Sequence, residues 1–136
     1  MYQTIIVAVA LGGDTTGGPL LERATRLLAP GGSIKLVHVL EEVPAYIVAE
    51  LPRDVLSARK AEAMVELRDL AAAQSAAADC EVRQGSPATA ILEAAADHGA
   101  DLIMIASHRP DLRDYFIGST AARVVRHAKC SVLISR

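Results

Sequence analysis

Five short apolar runs recur along the chain, separated by stretches in which apolar residues return every third or fourth position. The first run, "TIIVAVA" at 4–10, is apolar on both faces beyond its first residue, as a strand in the middle of a parallel sheet should be. Leu20, Leu21, Ala24, Leu27 and Leu28 then follow helical spacing, and "APGGS" ends that helix. "SIKLVHVL" at 33–40 reads as the second strand. An insertion, "EEVPAYIVAELP", separates it from a second helix with Leu56, Ala63, Met64, Leu67, Leu70 and Ala71 on its apolar stripe. The third strand, 80–84, alternates, with Cys80 and Val82 inward and Glu81 and Arg83 outward. That pattern predicts a sheet edge.

"GSP" at 85–87 starts the third helix, with Ser86 as its N-cap and Pro87 at the first helical position. Ile91, Leu92 and Ala95 supply its buried face and Gly99 ends it. "DLIMIA" at 101–106 is the fourth strand, again apolar on both faces. Ala121, Val124, Val125 and Ala128 recur at i, i+3, i+4 and i+7 on a fourth helix that begins at Ser119. "SVLIS" at 131–135 is the fifth strand. With no repeat, low-complexity tract or linker, one domain over 1–136 is expected. The alternation predicts an α/β fold, a parallel sheet covered on both faces. Such sheets bind ligands beyond the carboxyl ends of their strands, where the strand order reverses. Taking the first and fourth strands as the central pair sets residues 8–11 beside 106–109, with the start of the fourth helix facing the same crevice.

Composition narrows the partners. Of 136 residues, 51% are hydrophobic and 22% charged, which is globular rather than disordered usage. A formal charge of −2 offers no general attraction to nucleic acid or an anionic membrane. One Phe, three Tyr and no Trp give no platform for stacking bases. No targeting segment or membrane span is visible, so neither nucleic acid nor membrane is an expected partner. Two distant cysteines, Cys80 and Cys130, have no ligand spacing and fit a reduced, cytoplasmic setting.

Two loops are candidates for anion binding. "LGGDTTGGP" after the first strand has glycines at Walker A spacing, but Gly18 and Pro19 stand where that motif needs Lys and Ser or Thr. A turn before the first helix is the simpler reading. The step Gly118-Ser119-Thr120 is either a plain cap or a phosphate site. Free N–H groups, a helix dipole and hydroxyls converge there, and four Arg and one Lys face two Asp between Ser107 and Lys129. His38 in its apolar strand reads as a satisfied core histidine. Arg126, His127 and Lys129 complement a helix C-terminus. Asp111 and Asp114 are loop carboxylates able to reach Mg²⁺ through water, although solvation alone accounts for them; no metal site is expected. No lysine lies at the phosphate site and no base is paired with a nucleophile, so no catalytic residue is expected.

The stretch "IASHRPDLRDYFIGSTAARVVRHAKCSVLISR" closely resembles the C-terminal segment of the universal stress protein family, most of all its short single-domain bacterial F and G types. "TIIVAVA", "LVHV" and "GSPATAILEAA" are similar to the family's other segments in the same order. The resemblance implies a Rossmann-like, adenine nucleotide alpha hydrolase-like fold: five parallel strands in the order 3-2-1-4-5 with four helices on both faces. It further implies a small cytoplasmic, ATP-binding regulatory protein of the stress response, with ADP or AMP as variants of the ligand and Mg²⁺ as an optional companion. In the family motif G-x-x-G-x9-G-(S/T), Ala106 and Arg109 occupy the first two glycine positions. Gly118 and Ser119 match the last pair after a spacer of eight. By the resemblance, Ala8, Val9 and Ala10 border the adenosine and Val39 lines the adenine pocket. Ala106, Ser107, His108 and Arg109 wrap the phosphates, and Gly118, Ser119 and Thr120 hold them. Where the family usually carries an Asp at the end of the first strand, this chain has Ala10. A homodimer through the last strand, burying Val132 and Ile134, is expected on the same ground and because an apolar edge needs cover. The rivals are a nucleotide-free dimeric interaction module and a nucleotide hydrolase.

Overall fold

The computed structural model describes residues 1–107 and 117–136. In chain order the elements are β1 (Tyr2–Ala8), α1 (Gly17–Leu27), β2 (Leu28–Leu40), α2 (Ala45–Val48), α3 (Arg53–Ala73) and β3 (Ala78–Gln84). Then follow α4 (Pro87–His98), β4 (Leu102–Ala106), α5 (Ser119–His127) and β5 (Ser131–Ser135). The five strands form one sheet in the order β3-β2-β1-β4-β5, and every neighbouring pair is parallel. This is the Rossmann-like arrangement that the alternation and the resemblance predict.

β1 is central, and its alternate residues serve two cores. Ile5 and Val7 join Leu20, Leu21, Ala24, Leu67 and Ala71 of α1 and α3 on one face. Ile6 and Ala8 join Ile91, Ala94, Ala121 and Val124 of α4 and α5 on the other. Ile5, Ile6 and Val7 are wholly inaccessible to solvent. Continuous hydrophobicity is what a strand needs when both faces are covered.

The element boundaries depart from the sequence reading where polar or glycine residues take unforeseen roles. β1 ends at Ala8 and not at residue 10, so Ala10 stands exposed beyond the strand. "APGGS" ends α1 but belongs to β2, which starts at Leu28. Tyr2 pairs with Leu28 and Thr4 with Ser33, so the intervening residues bulge out, with Gly31 at a φ of 79°. The insertion carries a fifth, four-residue helix, α2, where four helices were expected. β3 is an edge strand as predicted and Val82 packs inward, yet Glu81 and Arg83 are not free in solvent. They are half-buried beside α4, where Arg83 pairs with Glu81 and Asp97, and His98 with Glu81. Burial pushes the Glu81 carboxyl up, but hydrogen bonds from Arg83 and His98 outweigh it and hold the group below its ordinary range.

The helix ends follow residue chemistry closely. Ser86 and Pro87 start α4 as predicted, and Gly99 closes it in the left-handed conformation with a φ of 63°. Two residues later, Asp101 precedes β4 instead of opening it. Its two carboxylate oxygens accept the N–H groups of Gln3 and Thr4, each at 2.9 Å, which ties the start of β4 to the start of β1.

Those two backbone donors, Gln3 and Thr4, hold the Asp101 carboxyl below its ordinary range. The stabilisation is therefore present above the unfolded-state pKa of an aspartate and is lost as the pH falls through the lower folded-state value. Asp101→Asn keeps one acceptor and turns an amide N–H toward a backbone N–H. Its melting temperature is expected to be lower than the parent's at pH 7, with the two curves converging as the pH falls from about 4, the ordinary aspartate value, through the lower folded-state value. Thermal denaturation across that interval checks this; parallel curves would rule it out.

Candidate functional site

Strand order reverses between β1 and β4. β1 continues into α1 on one face and β4 leads toward α5 on the other, so that among the described residues a gap is left at the strand ends between them. A crevice of about 640 Å³ opens there. That is the size of pocket that takes a drug-sized or nucleotide-sized ligand. Its floor is the tip of the sheet: Ala8 at the end of β1 with Val9 and Ala10 beyond it, Val37 and Val39 of β2, and Ile105, Ala106 and Ser107 at the end of β4. Pro87 and Ile91 of α4 form an apolar wall beside Ala121 of α5.

Gly118, Ser119 and Thr120 complete the rim at the start of α5. Gly118, rather than Ser119, is the N-cap, and no side chain among the described residues caps the helix. The helical ladder begins with the Ala122 N–H on the Gly118 carbonyl at 2.9 Å, so the preceding N–H groups have no acceptor within the helix. They lie at the positive end of the helix dipole, with the Ser119 and Thr120 hydroxyls close by. Gly118 is buried with φ −55° and ψ 155°, angles open to any residue, so its conformation does not call for glycine.

Thus nine of the eleven positions singled out from the sequence (Ala8, Val9, Ala10, Val39, Ala106, Ser107, Gly118, Ser119 and Thr120) surround one crevice. His108 and Arg109 lie outside the described residues, as do Asp111 and Asp114. Among the described residues, no group of three or more His, Cys, Asp or Glu side chains gathers as a metal site.

The glycine-rich loop is a turn, as expected, with Gly12 and Gly13 at φ of 76° and 92°. It also contributes to the crevice through Asp14 and Thr16, which the sequence reading missed. Asp14 accepts from the backbone N–H of Thr16 at 2.8 Å and from its hydroxyl, an arrangement that braces the loop just before α1. Gly17 is there for packing: a Cβ would stand 3.0 Å from Leu70 Cδ2 and 3.3 Å from Val9 Cγ1. The Asp-x-Thr spacing was the signal available for this brace.

His38 is half-buried and hydrogen-bonded as predicted, with Nδ1 2.9 Å from the Val9 carbonyl oxygen. It also lines the crevice, which the core reading did not foresee. The bond fastens the chain just beyond the end of β1, where the Val9 N–H reaches the Val37 carbonyl at 2.9 Å. Glu41 adds a carboxylate at the same end. Both cysteines are free and half-buried, and burial pushes their thiols up, away from nucleophilic chemistry.

The fold is a doubly wound α/β sheet with a crevice at its switch point, the place where sheets of this class bind ligands. The family model described as "Universal stress protein family" matches residues 1–136. The chain belongs to the universal stress protein family. It is 32% identical to universal stress protein A homolog 2 of Coxiella burnetii, over 99% of this chain and 95% of that protein. It is 29% identical to universal stress protein G of Escherichia coli O157:H7 over the full length of both. Among solved structures, UspA from Lactobacillus plantarum superposes with a TM-score of 0.71 at 25% identity, covering 99% of this chain and 98% of that one. A universal stress protein in complex with cAMP gives 0.66 at 23%, covering 99% and 97%. The Archaeoglobus fulgidus protein in complex with dAMP gives 0.59 at 21%, covering 99% and 98%. The last two carry the fold alone.

Proposed function

We propose that this protein binds an adenine nucleotide, ATP in the first instance, in the crevice at the carboxyl ends of β1 and β4, and acts as a regulatory binding protein rather than a dedicated enzyme. The observation that carries this reading is the start of α5: a buried glycine whose angles do not require glycine, followed by N–H groups with no acceptor among the described residues and two hydroxyl-bearing side chains that line a crevice of about 640 Å³. A phosphate group answers each of these features. The apolar walls and the ends of β1 and β2 then take the nucleoside, with Ala8 to Ala10 along the ribose and Val39 beside the base. His108 and Arg109 are proposed phosphate contacts on the resemblance alone. Family structures in complex with cAMP and dAMP support the ligand class. A cytoplasmic location is part of the same reading; among the described residues no helix is long and apolar enough to cross a membrane.

A homodimer through β5 belongs to this proposal. β5 pairs with β4 on one side and stands at the sheet edge on the other. Val132, Leu133 and Ile134 along it are only partly buried. An apolar edge of this kind invites a second copy about a two-fold axis.

Three outcomes are expected. A ligand bound only by the folded state stabilises it by RT ln(1 + [L]/Kd), ~2.7 kcal/mol at a hundredfold excess. Millimolar Mg-ATP is therefore expected to raise the melting temperature by several degrees. Gly118→Val, compatible with the local backbone angles, is expected to remove that shift relative to its own baseline. No shift with any adenine nucleotide would favour a nucleotide-free interaction module, and steady phosphate release would favour a hydrolase.

Ala10 is exposed at the crevice where a carboxylate would meet a ribose hydroxyl. Ala10→Asp is expected to tighten ATP binding by roughly 1.5–3 kcal/mol, the range of a hydrogen bond to a charged group. Calorimetry measures this, and unchanged or weaker affinity contradicts it.

Val132→Lys is expected to give a soluble monomer by light scattering with the nucleotide response intact, because β5 lies away from the crevice rim. A dimer that survives the change would place the interface on another surface.

A further inference from the structure

The apolar stripe of α3 is interrupted. Ala63, Leu67 and Ala71 are its buried residues, and helical spacing carries the same face back toward the N-terminus to Leu56. Between Leu56 and Ala63 the positions that repeat at i+3 and i+4 are Arg59 and Lys60, two cations where a core-facing helix places apolar residues. Leu56 is half-buried, yet it packs against neither apolar core. This segment borders a second cavity, of about 180 Å³. Leu40 of β2 and Val82 of β3 border it from the sheet, and Leu56, Arg59 and Lys60 from the helix. A cavity of about 150 Å³ lined by apolar side chains is enough for a benzene-sized guest.

The charges around this cavity are uneven. Arg83 also borders it, but its guanidinium is taken by Glu81 and Asp97. Among the described residues, no carboxylate pairs with Arg59 or Lys60. Glu41 is the one carboxylate in the lining, set against those two available cations. We propose that the cavity is a second ligand site, separate from the crevice, that takes a small monocarboxylic acid with an apolar body. Leu40, Leu56 and Val82 contact the body, and Arg59 and Lys60 receive the carboxylate. A guanidinium presents two parallel N–H groups to a carboxylate, and an ammonium adds a point charge. The surplus of one positive charge matches a monoanion rather than a phosphate dianion, and the apolar border favours an acid with a ring or branched chain over a bare anion. Nothing in this proposal depends on the nucleotide reading.

Benzoate at pH 7 is the probe, titrated into the full chain while backbone amide resonances are followed. Glu41 lines both this cavity and the crevice, so the readout must be resolved by residue. Saturable shifts are expected at residues 56–60 and 82–84 and not at 118–120. Benzyl alcohol has the ring without the charge, and acetate the charge without the ring. Each is expected to bind about tenfold more weakly than benzoate, the effect of losing a hydrogen bond to a charged group or the burial of a ring. Replacing both cations, Arg59→Met with Lys60→Met, keeps much of the apolar stems. That variant is expected to bind benzoate and benzyl alcohol alike, with its melting temperature little changed because both residues are exposed. Shifts centred on 118–120, or none that saturate, overturn the proposal. So do equal affinities for benzoate and either control in the parent, or an undiminished preference for benzoate in the variant.

Discussion

The parallel ladder on both edges of β1 is the constraint from which the rest of this molecule follows. With β2 on one side and β4 on the other, β1 has no free edge, and its side chains must satisfy a core above and a core below. The connections after β1 and β4 depart to opposite faces. The space beyond their ends is therefore left open by topology, whatever residues surround it. A binding crevice is the default outcome of this architecture, and local chemistry decides only what enters it.

That chemistry is spread around the rim. At α5 the protein offers dipole and donors, using glycine where the backbone angles do not ask for it. Elsewhere on the rim, polar side chains are held by internal bonds: Thr16 holds Asp14, and Val9 holds His38. The residues that shape the crevice are thus already engaged with the backbone. This is the preorganisation that lowers the entropic cost of taking a ligand.

Much of the fold was legible in the sequence because its signals were local. Buried parallel strands read as continuous apolar runs, and Ser86, Pro87 and Gly99 mark the ends of α4 by conformational preference alone. What escaped was whatever depended on distant partners. "APGGS" carries a helix terminator's composition, yet Tyr2 recruits Leu28 into the sheet and turns the glycines into a bulge. Arg83 and Glu81 alternate like a solvated edge, but α4 folds down beside them. The site was half legible for the same reason. The chain-local motif at Gly118 pointed to one side of the crevice, whereas Asp14 and His38 reach it only through the way β1 and β2 end together.

The Asp101 bonds to Gln3 and Thr4 join residues 97 and 98 positions apart. Closing so long a loop is entropically demanding, and contacts of this separation slow folding. β1 and β2 are neighbours in sequence and can pair early, but the second edge of β1 has no partner until β4 has been synthesised. For most of translation, the most apolar strand of the protein therefore has one flank open to any other extended chain. The step that closes it is also the one that brings β4 alongside β1. Escape from misassembly and formation of the crevice are consequently the same event on the ribosome.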